Sequence, residues 1–176
     1  MDALQKLWNL AKQQGQSQGT DWRYVFSPIG LILCDPPETE SYDSTPANSI
    51  AFAKTGGDGV HYSFLEIDKP LHDSPVVMTV PMMFERPNLI LGENLMEFLS
   101  LGCRCGYFSL EQLAYPDSRA EWIDMLSRSE VNPEVEAVDL LNLLNNKFDL
   151  HPWLEVASRL EELDRQFLSM IQNWRF

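Results

Sequence analysis

The sequence predicts an α+β fold, in which a twisted antiparallel sheet of about four to six strands is flanked by helices. Two observations predict it. In the first part of the chain, short runs of β-branched and aromatic residues are separated by glycine- and proline-containing turns. In the last part, apolar residues recur at helical spacing. A chain of 176 residues is expected to form a single domain, with an α+β core over residues 1–108 and a helical extension over 109–176 packed on it.

The first predicted element is an amphipathic helix, which the glycine-containing stretch 15–19 ends. Its apolar face consists of Leu4, Leu7, Trp8 and Ala11. Residues 22–26 and 29–34 are predicted to be strands, interrupted near Pro28 and Gly30. Residues 35–46 contain three prolines and four acids and are predicted to be a loop.

A meander of antiparallel strands is predicted next, over residues 49–53, 60–67 and 75–83. The glycine-rich sequence Thr55-Gly56-Gly57-Asp58-Gly59 separates the first two of these runs, so it predicts a hairpin turn with positive φ at Gly57 and Gly59. In the following strand His61 alternates with apolar residues, which places it at the sheet surface.

Helices account for the rest of the chain. Residues 95–101 form one, with Gly102 as the left-handed residue that closes it, and capping patterns mark further starts at Ser109, Ser118 and Asn132. The last helix is predicted to cover the sheet or to pack on the preceding helices, in preference to forming a dimer seam. Its apolar stripe consists of Trp153, Val156, Ala157, Leu160, Leu163, Phe167, Met170, Ile171 and Trp174. Two ion pairs are expected on its other side: Glu155 with Arg159, and Glu161 with Arg165.

The charge balance restricts the class of partner. The chain has 13 Lys and Arg against 26 Asp and Glu, a formal net charge of -13. Nucleic acids and anionic membranes need cationic surfaces, so neither is an expected partner, and the charge favours a basic protein. The longest apolar runs are far shorter than the roughly 20 residues of a membrane helix, and no export signal is readable. A cytoplasmic protein is expected.

The cysteines leave one enzymatic alternative open. Cys34, Cys103 and Cys105 are an odd number, which argues against a disulfide framework. A zinc site built from them and a histidine lacks the usual spacing, and Asp58 with His61 lacks further metal ligands. Cys105 has no recognisable base motif. We therefore expect no catalytic centre, metal or cofactor, with a small thiol- or metal-dependent enzyme as the alternative.

Two stretches without Lys or Arg are the candidate partner-binding regions, residues 24–53 and 129–146. They are either solvated faces or recognition surfaces for a basic protein. The second stretch contains Glu130, Glu134, Glu136 and Asp139. The first is preferred because it adjoins the predicted sheet. With the neighbouring hairpin it supplies the candidate partner-binding residues: Asp35, Glu38, Glu40, Asp43, Asp58 and His61.

One segment resembles the SUKH superfamily. Its ordered features are a Thr45-Pro46 start, a Phe52-Ala53 strand, the Thr55-Gly56-Gly57-Asp58-Gly59 turn and the His61-Tyr62 strand. The likeness continues more loosely through residues 75–81 and 94–101. The family's usual early E-x-x-L-x-x-x-L-P segment is not evident before Thr45, and residues 106–176 lie outside the likeness.

The resemblance implies an α+β fold around a twisted antiparallel sheet and a binding protein without a catalytic centre. Many bacterial members are immunity proteins that neutralise a cognate toxin by protein–protein contact, and others are regulatory adaptors. We therefore expect an acidic immunity-type protein, monomeric or weakly dimeric, that binds a basic toxin. A regulatory or scaffold adaptor of the same fold is the second reading.

Overall fold

A computed structural model describes residues 2–128 and 135–173 and confirms the α+β class. Within these residues, five strands form one antiparallel sheet, in which each strand pairs with the next along the chain. The strands are β1 (Ile32–Glu38), β2 (Ser49–Lys54), β3 (His61–Leu65), β4 (Val76–Thr79) and β5 (Asn88–Gly92). The fifth strand was not predicted.

The helices surround this sheet, and one continuous cluster of buried apolar side chains reaches from the first helix to the last. They are α1 (Ala3–Gln18), α2 (Leu95–Gly102), α3 (Pro116–Arg128), α4 (Val135–Phe148) and α5 (Val156–Phe167). No helix in the described ranges combines the length and apolar character required to cross a lipid bilayer.

One face of the sheet, here called the α2 face, is buried by aromatic packing. Phe98 of α2 lies edge-on to Phe52 at 5.7 Å between ring centroids, and 4.7 and 5.1 Å from Tyr62 and Tyr107. The two tyrosines keep their hydroxyls satisfied: Tyr62 donates to the Tyr107 carbonyl, and Tyr107 donates to the Leu99 carbonyl at 2.9 Å. Paired hydroxyls allow such rings to be fully buried.

The opposite face, here called the α5 face, has an apolar row and a polar row. The row called apolar follows the strand register through Ala51, Ser63, Val77 and Ile90, and its one polar member, Ser63, is buried with no hydrogen-bond partner for its hydroxyl among the described residues. Leu163 and Phe167 pack on Val77 and Ile90, which confirms that the last helix covers the sheet. The predicted ion pairs of this helix are wrong, because Arg159 instead pairs with Glu93, Glu97 and Glu162, and Arg165 donates to the Glu161 carbonyl.

The polar row lies next to it and crosses four strands in register: Lys54, His61, Thr79 and Asn88. An irregular segment between β1 and β2, residues 39–48, covers this row. Asn48 ties that segment to the end of the chain, because its amide donates to the Met170 carbonyl at 3.1 Å and its carbonyl oxygen accepts from the Gln172 amide at 2.9 Å. The Ala47 amide donates to the Gln172 carbonyl as well.

Two predicted strand boundaries are wrong. Residues 22–29 form two short 3-10 turns, Trp22–Tyr24 and Ser27–Ile29, because the Asp21 carboxylate caps the first and Pro28 favours helical geometry in the second. Residues 35–38, predicted as loop, continue β1 across an irregularity in its pairing with β2. The prolines there fit an edge strand, whose outer amides need no partner.

Three predicted helix boundaries also differ. The first helix runs through Gly15 to Gln18. Gly15 lies inside it and packs so closely on Trp22 that a Cβ at residue 15 would lie 2.8 Å from the Trp22 Cα. Gly102 belongs to α2, and Gly106, at φ +79°, takes the left-handed conformation instead. Ser109 and Ser118 lie inside helical turns rather than capping them, while Asn132 and Trp174 lie outside the described residues.

The hairpin between β2 and β3 is confirmed, with a different set of left-handed residues. Positive φ occurs at Gly56, Asp58 and Gly59, with values of +86°, +47° and +73°, and not at Gly57. The Thr55 hydroxyl donates to backbone carbonyls inside the turn, which fixes its shape.

Candidate functional site

A cleft of about 930 Å³ opens at the edge of the α5 face, where the β4–β5 loop meets the segment before β2 and the end of the chain. This volume is within the range of ligand-binding clefts. Three short stretches supply its walls. They are Tyr42, Asp43 and Ser44; Pro81, Met83, Phe84, Glu85, Arg86, Pro87 and Asn88; and Leu168, Ile171 and Asn173.

The β4–β5 loop presents apolar side chains to solvent beside this cleft. The loop is closed at its base by a hydrogen bond from the Val80 amide to the Pro87 carbonyl at 2.8 Å. At its tip the side chain of Phe84 is 91% exposed and that of Met82 is 62% exposed. Arg86, at the end of the loop, forms an ion pair with Asp164 of α5. The loop is therefore anchored at both ends, while none of the described residues covers its apolar tip.

The opposite wall, residues 42–44, is anchored on the polar row. The Asn88 amide donates to the Ser44 carbonyl at 2.9 Å, and the Thr79 hydroxyl donates to the Asn88 side-chain carbonyl at 2.8 Å. Tyr42 stacks over His61, with ring centroids 5.9 Å apart. The polar row thus positions one wall of the cleft.

His61 is the centre of that anchoring. It is 1% exposed, its Nδ1 lies 2.8 Å from the Gly59 carbonyl, and its Nε2 lies 3.1 Å from the Thr45 hydroxyl. A carbonyl only accepts, so Nδ1 holds the proton and Nε2 accepts from Thr45. Burial lowers the pKa of His61, since it disfavours the charged imidazolium. The expected surface position of His61 is wrong, because residues 39–48 cover this end of β3.

Three of the predicted partner-binding acids are already paired within the chain. Asp35 lies 2.7 Å from the Lys12 ammonium, and Glu38 and Glu40 each lie 2.7 Å from that of Lys54. The expectation that these carboxylates are unpaired is therefore wrong. The sequence stretch lacks bases, but Lys12 and Lys54 reach it from α1 and from the end of β2.

Asp43 and Asp58 are exposed, and they lie in different surroundings. Asp43 lines the cleft and has no ion pair with any residue in the described ranges. Asp58 lies at the β2–β3 turn near Glu111, whose pKa is raised by burial and by the Asp58 charge. The six predicted residues therefore do not form one site, and only Asp43 lies in the cleft.

The second acidic stretch gives little further information. Glu130 and Glu134 lie outside the described residues, and the side chain of Glu136 is not described either. Asp139 is exposed on α4.

The cysteines have the properties of inert thiols. All three are free, and burial raises the pKa of Cys34 and of Cys105 to about 12. A nucleophilic cysteine needs a lowered pKa, so these surroundings disfavour thiol catalysis. In the part of the chain that the structure describes, no three His, Cys, Asp or Glu side chains are grouped so as to hold a metal ion.

Sequence reasoning missed most of the cleft. Its apolar lining includes Met83, Phe84, Leu168 and Ile171. Met83 was predicted as the end of a strand and Ile171 as part of the last helix stripe, whereas Phe84 and Leu168 were not assigned to any element. One signal was present: the run from Pro81 to Pro87 places Met-Met-Phe between two prolines, which is typical of an exposed loop with an apolar tip. Comparison of the chain with protein-family models, with curated proteins and with solved structures gives no match.

Proposed function

We propose that this chain is a non-catalytic binding protein that docks a basic partner protein on the cleft and the adjoining β4–β5 loop. The observation that carries the proposal is the exposed apolar tip of that loop, Met82 and Phe84, on a base fixed by backbone hydrogen bonding and the Arg86–Asp164 ion pair. Exposed apolar surface beside a cleft marks a protein interaction site, and aromatic and methionine side chains are enriched in such interfaces.

Electrostatics supports a basic partner. The net charge of -13 attracts cationic proteins over several ångströms and repels anionic ones. Among the described residues that line the cleft, Arg86 alone is basic, and it forms an ion pair with Asp164. A partner approaching this face meets a negative potential around an apolar surface.

Within this class we favour an immunity-type role, in which the protein neutralises a toxin in the cytoplasm by covering its functional surface. The resemblance of residues 45–101 to the SUKH superfamily supports this role. A regulatory adaptor would use the same surface on a partner that is harmless by itself. The raised pKa values of Cys34 and Cys105 disfavour the thiol-dependent alternative.

The test begins with capture of partners from a lysate of the source cells on immobilised protein, followed by reconstitution with the purified partner. Phe84→Asp should weaken binding at least tenfold, because it places a charge in the apolar contact. The matched control is Leu154→Asp, since Leu154 is also exposed, at 86%, and lies outside the cleft lining. A partner that binds Phe84→Asp as tightly as the wild type, or an acidic partner, would contradict the proposal.

Co-expression separates the two roles. For an immunity protein, the captured partner should arrest growth when expressed alone and lose that effect when the wild-type chain is present. Growth that is unaffected by the partner alone favours the adaptor.

A further inference from the structure

The acids of residues 35–43 fall into two groups, although they are adjacent in sequence. Lys12 and Lys54 occupy the carboxylates of Asp35, Glu38 and Glu40. Asp43 has no such cation among the described residues, and the exposed Glu85 of the β4–β5 loop has none either. Within the described residues, the acids near β1 are therefore paired by Lys12 and Lys54, whereas Asp43 and Glu85 at the cleft have no ion pair.

These two carboxylates belong to different stretches of the same lining, Asp43 to the segment before β2 and Glu85 to the β4–β5 loop. Apolar side chains of Met83, Leu168 and Ile171 line the same cleft. The third charged lining residue, Arg86, is held by Asp164. An occupant that matches this lining has an apolar group and a positive charge close together.

The size of the apolar surface indicates which kind of occupant this is. It continues out of the cleft onto Phe84 and Met82, whose side chains are 91% and 62% exposed. A small organic cation that fills the cleft would contact Phe84 on its cleft side only and would leave Met82, which does not line the cleft, in water. A protein segment can fill the cleft while the protein around it covers the loop tip.

We propose that the cleft binds a short segment of the partner protein, with an apolar side chain against Met83 and Ile171 and an adjacent Lys or Arg that pairs with Asp43 and Glu85. This inference rests on the proposed function and specifies the chemistry of the partner's contact region. In protein interfaces, a buried apolar side chain usually contributes most of the affinity. A neighbouring charged side chain mainly sets the orientation and the association rate.

The test is a selection of random twelve-residue displayed peptides on the full-length protein. Enriched peptides should contain Lys or Arg next to a large apolar residue. Their affinity, measured with synthetic peptides, should fall at least tenfold in the double variant Asp43→Lys, Glu85→Lys. The matched control is Asp58→Lys, Asp139→Lys, which changes the net charge equally at two exposed acids outside the cleft and should retain the affinity within twofold.

Several results would overturn the inference. The selection could enrich no peptides, or it could enrich acidic ones. Both double variants could lose the same peptide affinity. Binding could also occur only in a variant that lacks residues 174–176, which would indicate that these residues of the chain itself occupy the cleft. Each of these can occur while Phe84→Asp still abolishes capture of the partner. In that case the inference fails and the proposed function stands.

Discussion

The two faces of the sheet are buried by different chemistry. On the α2 face, Tyr62, Met78 and Leu89 are buried cross-strand neighbours, and the ring of Phe98 packs on Tyr62. On the α5 face, the polar row presents a charged or hydrogen-bonding side chain at each of its four strand positions. The α2 face is covered by a regular helix, whereas an irregular segment covers the polar row.

This difference explains why the cleft lies where it does. Apolar side chains accept any well-packed cover, because dispersion and the hydrophobic effect are non-directional. Buried polar groups need partners in fixed directions, which a helix with its backbone groups already paired cannot supply. The Ser44 carbonyl and the Thr45 hydroxyl supply such partners to Asn88 and His61, and residues 42–44 of the same segment form one wall of the cleft.

The largest expected effect tests the α2 face. Phe98→Ala should reduce the free energy of unfolding by about 3–5 kcal/mol, because it opens a cavity among fully buried rings. The measurement is urea denaturation. Phe84→Ala, which removes the same ring from an exposed position, should change the free energy of unfolding by no more than about 0.5 kcal/mol. If both variants lost the same free energy of unfolding, the assignment of Phe98 to the core and of Phe84 to an exposed docking surface would be contradicted.

The next prediction tests the hairpin beside the polar row. Gly59→Ala should reduce the free energy of unfolding by about 1–2 kcal/mol, because Gly59 has a φ of +73° and a Cβ there would lie 2.5 Å from the ring of Tyr42. Gly57→Ala is the control, since Gly57 has no positive φ and a Cβ would lie 3.3 Å from the flexible Phe108 ring. Denaturation midpoints that shift equally would contradict this assignment.

The third prediction concerns the pH dependence of the α5 face. Burial lowers the pKa of His61 below its value in the unfolded chain, so the unfolded state binds the proton more readily. The free energy of unfolding is therefore unaffected by protonation of His61 above about pH 6.5, the pKa of histidine in the unfolded chain. It decreases as the pH falls from there towards the lower pKa of His61 in the folded protein. Denaturation at pH 7.5 and 5.5 should show the loss.

The control is His61→Gln, which should be less stable overall and should lose less stability over the same interval. Glu40 and Lys54 lie near His61 and influence its charge, so Glu40→Gln is measured in parallel. A pH dependence that is unchanged in His61→Gln would assign the effect to other groups.

The smallest expected effect lies at the exposed end of the polar row. Lys54→Met removes the ion pairs with Glu38 and Glu40, but the Lys54 side chain is 38% exposed, so the loss of stability should stay below about 1 kcal/mol. The sharper readout is the pKa of Glu38, which its hydrogen bond from Lys54 holds below the usual value. Titration of that carboxyl by NMR should show the pKa rising in the variant.

The elements predicted correctly are those whose signal is local. The β2–β3 hairpin rests on alternating residues around a glycine turn, and the buried side of α5 rests on helical spacing, so both are readable over a few residues. The predicted stripe was too long, because α5 ends at Phe167 and both Ala157 and Met170 are exposed. The segment 22–29 was misassigned because aromatic and β-branched residues indicate a strand, while the Asp21 cap and Pro28 decide the backbone. The capping carboxylate and the proline there outweigh the strand propensity of the neighbouring side chains.

The site was harder to predict because it depends on distant pairs. Asp35 and Lys12 are 23 residues apart, so a stretch without bases was interpreted as unpaired acids. The cleft combines residues near positions 43, 84 and 171, which no periodicity relates. Only the run between Pro81 and Pro87 indicated an exposed apolar loop, and strand β5 after it escaped notice because Asn88–Gly92 is short and apolar.

The link from Asn48 to the end of the chain also sets an order of assembly. Asn48 bonds to the Met170 carbonyl, 122 residues later, and at a synthesis rate of about 5–20 residues per second this partner emerges on the order of ten seconds afterwards. The aromatic contacts of the α2 face involve residues only as far as Tyr107, so these residues are synthesised before α5, which covers Val77 and Ile90. During that interval His61 and Thr79 border the uncovered apolar row with groups that water can solvate. The polar row thus reduces the apolar area that the α5 face exposes before α5 is synthesised, and with it the surface available for aggregation.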